Sequence, residues 1–404
     1  MSKRVLLIST VWPEPVSSAA GVRTLQILEF CQKAGYLVQV SSPSAFNAFQ
    51  TALETRGIPT HAIPANDSRF DELVRTFNPD VVIYDRFLME EQFGARVFEC
   101  VPQALRIIDS QDLHFLRKSR AATPGQWLED DVERELASIY RSDHTWLLSD
   151  FEHELLVGEF QVDPSYVSTM GFSYKEEYKP CQTGRDHFVW IGNFRHAPNL
   201  DSFEWLVRDL WPKIRSQLPH AELHIYGAYP PESVMKMNGA VPGLKVLGPA
   251  RDVSETLIKY RALLSPLRFG AGIKGKIAES WRVGLPVVTT PIGAEGMRLN
   301  TGEFGGAVSE RSSPGNEAED FIRTAVSFYE DSDAQEKSVI LGQQTLSTKF
   351  SFETNFLHFY QTIEGVSKIK RRLRNQRWTQ KILWREQFRS AQYFSKWIEL
   401  KNSR

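Results

Sequence analysis

Three glycines and two lysines stand together just before a predicted helix in the second half of the chain. Residues 269–276 read FGAGIKGK and follow the apolar run LLSPL, which is typical of a buried strand. Glycines let a backbone approach a ligand closely, and a helix N-terminus presents unpaired N–H groups at the positive end of its dipole. Lys274 and Lys276 suit a phosphate or diphosphate here, and Glu279, one turn further on, suits a sugar hydroxyl. The segment therefore indicates a nucleotide-sugar site, against the alternative of an ordinary turn whose glycines serve only packing.

A second group of chemically active side chains follows a predicted strand in the first half. Residues 109–117 read DSQDLHFLR and come directly after the predicted strand 104–108. Open α/β sheets bind ligands beyond the carboxyl ends of their strands, which makes Asp112 and His114 candidate active-site residues. A solvated loop with a helix cap is the competing interpretation. The acids and histidines do not recur at helical or Cys/His spacing, so we expect no metal site.

The elements that position these residues alternate between strands and helices, which predicts two parallel α/β halves. In the first half the predicted strands cover 5–9, 36–41, 60–63, 81–84, 104–108 and 145–148. In the second half they cover 188–191, 222–226, 244–247, 263–267 and 287–290. The predicted helices include single helices over 200–218, 253–260 and 274–283, and a hairpin-like stretch is expected over 301–308. The first βα loop lacks the Gly-x-Gly-x-x-Gly pattern, so a nicotinamide cofactor is not expected.

Length and composition describe a multidomain protein without secretory or membrane features. With 404 residues, two or three domains are expected at roughly 150 residues each, and the polar segment 174–185 is the predicted linker. The three cysteines are widely spaced and fit no metal pattern, which indicates reduced thiols. The first strand is too short for a signal peptide, and no apolar run reaches about 18 residues. We therefore expect a cytoplasmic protein with no transmembrane helix.

The C-terminal tail differs in charge from the rest of the chain. Residues 368–404 contain 12 Lys or Arg against two Glu, a net of +10 in a chain whose total is −1, which leaves −11 elsewhere. Tryptophans and phenylalanines are interleaved with these basic residues, a pattern that suits an anionic membrane surface or an acidic partner. An amphipathic helix packed on the acidic body is the alternative. Nothing else in the chain supports nucleic acid, and none is expected as a partner.

The glycine-rich segment and its continuation resemble the donor-binding core of retaining GT-B glycosyltransferases of family 4 (glycosyl transferases group 1). That family has a glycine-rich turn, a basic residue, a glutamate in the next helix, a Gly-Leu-Pro-Val-Val strand entry and a Gly-x-Glu-Gly turn. Here the matching residues are Gly270, Gly272, Lys274 or Lys276, Glu279, residues 284–288, and Gly293, Glu295 and Gly296. The stretch from Phe188 through Gly192, Asn193 and His196 resembles the entry to the family's donor domain. The resemblance covers residues 3–365 and is strongest over 188–297.

The resemblance implies a GT-B fold, in which two Rossmann-like domains with parallel sheets face each other across a cleft and a C-terminal helix returns to the N-terminal domain. It implies an acceptor domain at 1–175 and a nucleotide-sugar donor domain at 186–365, followed by the basic helical tail at 366–404. The implied reaction moves a sugar from a nucleoside diphosphate sugar to a glycan, lipid-linked or small-molecule acceptor, with retention of the anomeric configuration. The sugar nucleotide is a co-substrate, and neither a cofactor nor a metal is needed where basic groups neutralise the diphosphate.

The resemblance also assigns roles to matching positions. Lys276 (or Lys274) and Arg268 are expected to neutralise the diphosphate, and Glu279 to hold the ribose. The residues expected near the donor or the transferred group are Gly21, Gly192, Asn193, His196, Gly270, Gly272, Glu295 and Gly296, with His114 and Asp112 facing the acceptor and the reacting carbon. The family's first glutamate is replaced here by Ala271, so recognition of the sugar must use backbone or other groups. The alternatives are a non-catalytic GT-B sugar-nucleotide-binding scaffold and a GT-B sugar-nucleotide epimerase.

Overall fold

The computed structural model describes residues 2–64, 67–122, 125–175, 184–310, 312–313 and 315–402. Over residues 391–402, only the side chains of Trp397 and Lys401 are described. Most of the predicted linker at 174–185, including Cys181, lies outside the described residues. Cys31 and Cys100 are both free thiols.

Two parallel sheets make up the strand content. The strands are β1 (Arg4–Ile8), β2 (Leu37–Ser42), β3 (Thr60–Ala62), β4 (Val81–Asp85), β5 (Leu105–Asp109), β6 (His144–Leu147), β7 (Val167–Thr169), β8 (Asp186–Asn193), β9 (Leu223–Ala228), β10 (Leu244–Gly248), β11 (Tyr260–Ser265), β12 (Val287–Thr289) and β13 (Ala307–Val308). The first sheet has the order β3-β2-β1-β4-β5-β6-β7, and the second has the order β10-β9-β8-β11-β12-β13. Each sheet therefore reverses its strand order beside its first strand, where α/β folds bind ligands. The predicted pair of parallel α/β units is confirmed.

Helices cover both faces of each sheet. They are α1 (Ala19–Lys33), α2 (Ala48–Thr55), α3 (Arg69–Phe77), α4 (Phe87–Cys100), α5 (His114–Ala122), α6 (Glu129–Arg141), α7 (Asp150–Glu154), α8 (Ala197–Trp205), α9 (Trp211–Gln217), α10 (Glu232–Met235), α11 (Val253–Leu257), α12 (Gly275–Arg282), α13 (Pro291–Ala294), α14 (Glu317–Glu330), α15 (Ser332–Lys349), α16 (Phe352–Gln376) and α17 (Trp378–Asn402). Single π turns occupy Leu155–Glu159 and Leu206–Leu210, and a 3₁₀ turn occupies Pro164–Tyr166. None of the described helices has both the length and the apolar character that a membrane span requires.

Three predicted elements differ from the structure. The helix predicted over 200–218 is α8, a π turn and α9, because Pro212 lacks the N–H that an uninterrupted helix would need. The helix predicted over 253–260 ends at Leu257, since Tyr260 already belongs to β11. The hairpin-like stretch predicted at 301–308 is wrong. Its last two residues form β13, which pairs in parallel with β12 and so extends the sheet.

The C-terminal helices return to the first sheet. Phe359 and Ile363 of α16 are buried in the same core as Val5 and Trp146. In α17, the buried Trp384 stacks on Phe98 of α4 with ring centroids 4.6 Å apart. The described part of the tail is therefore packed on the N-terminal domain.

Basic residues of the tail form hydrogen bonds that attach it to the N-terminal domain. Arg374 Nε donates to Asp143 Oδ1 at 2.7 Å, and Arg377 Nη1 donates to the Asp143 carbonyl at 2.7 Å. Asp143 lies at the start of β6, at the edge of the sheet opposite the carboxyl ends of the strands. Part of the tail's positive charge is therefore paired with Asp143 of the N-terminal domain, away from the carboxyl ends of the strands.

Candidate active site

A cavity of about 490 Å³ lies between the two sheets, at the carboxyl ends of their strands. Its wall on the side of the first sheet is formed by the start of α1 with the preceding loop, and by residues that follow β4 and β5. The opposite wall is formed by part of each of the segments 191–199, 249–254 and 267–279. A volume of this size is typical of a site for a small organic ligand.

Lys276, in the first turn of α12, presents a half-buried ammonium group to the cavity. Its Nζ donates to Asn199 Oδ1 at 2.7 Å and lies 5.0 Å from the centroid of the Trp190 ring. Burial lowers the pKa of Lys276 to about 7. No carboxylate pairs with this amine among the described residues, so an anionic ligand would meet an uncompensated positive charge.

Lys274 also lines the cavity, but its amine is held by its own loop. The Nζ donates to the Gly272 carbonyl at 2.7 Å. Burial lowers the pKa of Lys274, while the nearby carboxylates of Glu295 and Glu152 act in the opposite direction. Of the two lysines that the sequence left open, Lys276 is the one whose charge is not already opposed by protein carboxylates.

Glu279 lies on α12 and also lines the cavity. Its Oε2 accepts from Arg282 Nη1 at 2.8 Å, and its carboxylate also bonds the Tyr174 hydroxyl. Burial raises the pKa of Glu279, and the two hydrogen bonds lower it in part. A carboxylate held in this way can accept hydrogen bonds from a hydroxyl pair such as that of a ribose.

The glycine loop brings the two domains into contact. Gly272 has φ +65°, and a Cβ there would lie 2.9 Å from the Cβ of Asp112. Only a glycine satisfies both the left-handed backbone and this close approach. Gly270, which lines the cavity, has φ +150° and accepts a hydrogen bond from Arg120 Nη1 at 2.7 Å.

Asp112 supplies the carboxylate of the opposite wall. It forms an ion pair with Arg117, and its Oδ1 lies 3.5 Å from His114 Nε2. Burial raises its pKa, but Arg117, His114 and Arg86 together outweigh burial and leave the pKa below its usual value. Burial lowers the pKa of His114 to about 4, so at neutral pH this imidazole is uncharged. His114 contacts Asp112 without itself lining the cavity.

Two buried carboxylates hold the loop that carries Asp112. Glu135 accepts from the N–H groups of His114 at 3.2 Å and Phe115 at 2.9 Å, and Glu152 accepts from Leu113 N–H at 2.9 Å. Burial raises the pKa of Glu135 to about 8 and that of Glu152 to about 7. Ser149 caps α7, since its Oγ accepts from the Glu152 N–H at 3.2 Å.

Glu295 and Gly296 lie at a domain contact, outside the cavity wall. Both oxygens of Glu295 accept from Arg120 at 2.8 Å. A Cβ at Gly296, where φ is +73°, would lie 2.5 Å from Ser149 Cβ. Asn193 forms a further link, since its Nδ2 donates to the Ser17 carbonyl at 3.1 Å. The resemblance implied donor contacts at all three positions. In the structure Glu295 and Gly296 make contacts between the domains, and Asn193 makes such a contact and also lines the cavity.

The remaining predicted residues divide between the cavity and its surroundings. Gly192, Asn193 and His196 line the cavity, and burial lowers the pKa of His196 to about 4. Gly21 lies behind the wall, where a Cβ would meet the Glu14 backbone at 2.5 Å.

Arg268 is outside the cavity wall, contrary to the expectation that it faces the diphosphate. Its Nε donates to Asp201 Oδ2 at 2.9 Å, and the guanidinium lies 5.5 Å from the centroid of the Trp205 ring. An acidic partner on the neighbouring helix thus turns this arginine away.

Arg86, Gln111 and Asn199 are among the residues of the cavity wall that sequence reasoning missed. Gln111 and Asn199 belong to segments that were recognised, but neither was given a role. Arg86 follows the predicted strand 81–84, and its position at a strand's carboxyl end was the available signal. Over the described residues, no cluster of three or more His, Cys, Asp or Glu is arranged to hold a metal ion.

Comparison with known proteins gives a family match and a fold. Residues 185–331 match the family model described as "Glycosyl transferases group 1". No curated protein matches the chain. Among solved structures, the chain is similar to Anabaena HepE in complex with UDP-glucose, with 13% identity, a TM-score of 0.66 and coverage of 90% of this chain and 100% of that one.

Two other solved structures show the same likeness. Sucrose-phosphate synthase from Thermosynechococcus elongatus matches with 14% identity, a TM-score of 0.68 and coverage of 90% and 99%. A glycosyltransferase from Rickettsia africae matches with 12% identity, a TM-score of 0.66 and coverage of 90% and 98%. The protein therefore has the two-domain GT-B fold, as the sequence predicts.

Proposed function

We propose that the protein is a metal-independent glycosyltransferase that moves a sugar from a nucleoside diphosphate sugar to an acceptor, with retention of configuration as in family 4. The observation that carries the proposal is the Lys276 ammonium, which lies half-buried at the start of α12, faces the cavity and has no carboxylate partner among the described residues. The family match over 185–331 includes this segment, and HepE, one of the similar structures, was solved with UDP-glucose.

The cavity offers the charges that such a reaction needs. As the bond from the anomeric carbon to the diphosphate breaks, negative charge develops on the leaving oxygen, and fixed cations and helix N-termini stabilise it most when water is excluded. Protonated Lys276 fills this role, and Glu279 holds the ribose. On the opposite wall, Asp112 stays ionised and is the group placed to orient an acceptor hydroxyl.

The test begins with donor binding. Thermal unfolding is followed with UDP-, GDP-, ADP- and dTDP-sugars, and nucleotide release is then measured with and without a panel of acceptors. We expect one nucleotide class to raise the melting temperature and to be turned over. Lys276→Ala should abolish transfer while the fold persists, and the exposed Lys236→Ala serves as the matched control. Wild-type turnover in Lys276→Ala would remove the assignment.

The same assay separates the two alternatives. A non-catalytic scaffold would be stabilised by a sugar nucleotide but release no nucleotide with any acceptor. An epimerase would change the sugar's configuration without net transfer to an acceptor, which NMR of the sugar nucleotide detects.

For the tail we propose contact with an anionic membrane surface through the face of α17 that points away from the protein. Trp378 and Ile382 are 70% and 57% exposed, and the exposed Lys381 lies beside them. Interleaved aromatic and basic groups of this kind bind anionic lipid interfaces. Flotation with vesicles that contain phosphatidylserine tests this. Equal flotation of the wild type and a Trp378→Ser/Ile382→Ser variant would remove the idea.

A further inference from the structure

Two residues of the cavity wall hold backbone conformations that their side chains disfavour. Arg86 has φ 71° and ψ 162°, a region that only glycine occupies readily. Gln111 has φ 62°, in the left-handed region. They follow the neighbouring strands β4 and β5, whose last paired residues are Asp85 and Asp109. Such conformations persist where the surrounding structure enforces them, and they concentrate at functional sites.

Hydrogen bonds hold the backbone at Arg86 and at the residue before it. The Arg86 N–H donates to the Asp109 carbonyl at 2.8 Å. The preceding Asp85 accepts from the Thr10 N–H at 3.0 Å through Oδ2 and from Thr10 Oγ1 at 3.1 Å through its carbonyl. These bonds leave residue 86 no freedom to relax, so its side chain is directed to the cavity wall at an energetic cost that glycine would avoid.

Both side chains bring unused hydrogen-bond donors to the cavity. In Arg86 only Nη1 is bonded among the described residues, to Thr10 Oγ1 and Asp85 Oδ2, each at the long distance of 3.3 Å. Gln111 is 7% exposed, and its Nε2 is buried without a hydrogen-bond partner over the described part of the chain. A buried unpaired donor costs free energy unless a ligand meets it.

We propose that Arg86 and Gln111 form a subsite for an anionic group, a phosphate or a carboxylate, carried by the acceptor. A guanidinium with a free edge matches two oxygens of such a group, and an amide N–H₂ adds a third bond. The location favours the acceptor, because both residues belong to the wall opposite Lys276, where the diphosphate is placed. Asp85 pairs with Arg86 through Nη1 alone, which leaves the other edge of the guanidinium open, and Asp112 is already paired with Arg117. The inference rests on the proposed function.

The test titrates UDP-saturated protein with glucose, glucose 6-phosphate and glucuronate by calorimetry. We expect the wild type to bind at least one charged probe roughly 10- to 100-fold more tightly than glucose. Arg86→Gly should reduce this preference to within about twofold, and Arg86→Lys should keep part of it, because charge remains but the planar fork is lost. The exposed Arg56→Gly is the matched control and should keep the full preference.

Thermal unfolding of the same variant tests whether the backbone at residue 86 is strained. Arg86→Gly should raise the melting temperature by roughly 1–4 °C, because glycine relieves the conformational cost. UDP affinity should be unchanged in the same variant.

Three outcomes would overturn the subsite: equal binding of charged and neutral probes by the wild type, an undiminished preference in Arg86→Gly, or loss of UDP affinity in that variant, which would assign Arg86 to the donor. If none of UDP, GDP, ADP and dTDP binds the wild type, the proposed donor site itself fails, and the same three probes titrated without nucleotide decide the subsite.

Discussion

Replacement of Lys276 by methionine separates the energetic cost of its buried charge from its role in binding. Methionine has a similar length and no charge, so the packing beside Trp190 is largely kept. Burial lowers the pKa of Lys276 from 10.5 to about 7. Below pH 7 the folded and unfolded states both carry the proton, and the folded state bears the full cost of the buried charge. Between pH 7 and 10.5 the unfolded state binds more protons, so stability rises with pH.

The size of this effect follows from the pKa difference. Each pKa unit corresponds to about 1.4 kcal/mol, so the charge costs at most about 5 kcal/mol of unfolding free energy below pH 7. The lost hydrogen bond to Asn199 offsets about 1 kcal/mol of the gain. We therefore expect Lys276→Met to be more stable than the wild type at pH 6 by a few kcal/mol. The difference should shrink as pH rises from 7 to 10.

The same residue predicts the pH dependence of donor binding. The diphosphate of a sugar nucleotide stays doubly ionised across this range, and protonated Lys276 binds it best. Affinity should then be flat below pH 7 and fall up to tenfold per pH unit above it, and this dependence should be absent in Lys276→Met.

Urea unfolding at pH 6, 7.5 and 9 and calorimetric titration with UDP-glucose measure both effects, with Lys236→Met as the control. A Lys276→Met variant that is no more stable at pH 6 than at pH 9, relative to the wild type, would refute the argument.

Other variants test the remaining parts of the site. Gly272→Ala should reduce turnover at least tenfold in the nucleotide-release assay, because its Cβ meets Asp112 and its left-handed backbone costs about 1–2 kcal/mol; full activity would show that the close contact is not needed. Glu279→Gln should weaken UDP binding by roughly tenfold in calorimetry with no change in melting temperature, and unchanged affinity would remove the ribose role. Trp384→Ala should lower the free energy of unfolding by about 3–5 kcal/mol in urea titrations, whereas Trp378→Ala, at an exposed position on the same helix, should change it by less than about 0.5 kcal/mol.

The sequence predicted the parts of the fold that follow from local patterns. Apolar runs separated by glycine-terminated helices predicted both parallel sheets. The FGAGIKGK segment and the helix that follows it predicted a ligand site with Lys276 and Glu279, and both residues line the cavity. These succeed because a strand, a glycine turn and a helix start fix the direction of nearby side chains. The prediction of one continuous helix over 200–218 was wrong, because a π turn interrupts it, although Pro212 was visible in the sequence.

The features that the sequence did not predict depend on contacts between residues far apart in the chain. Arg268 is adjacent to the glycine loop, yet Asp201 on another helix holds its guanidinium outside the cavity. Gly21 is explained by the nearby backbone of Glu14. Arg86 contradicts local propensity, since hydrogen bonds from two neighbouring strands enforce a conformation that a residue with a side chain avoids. Such positions become visible only in the folded chain.

A crystal structure with bound UDP-glucose would locate the donor in the cavity. We expect diphosphate oxygens within hydrogen-bonding distance of Lys276 Nζ and the ribose hydroxyls against the Glu279 carboxylate. A diphosphate bound elsewhere, or a sugar nucleotide that leaves the cavity between the two sheets empty, would contradict this expectation.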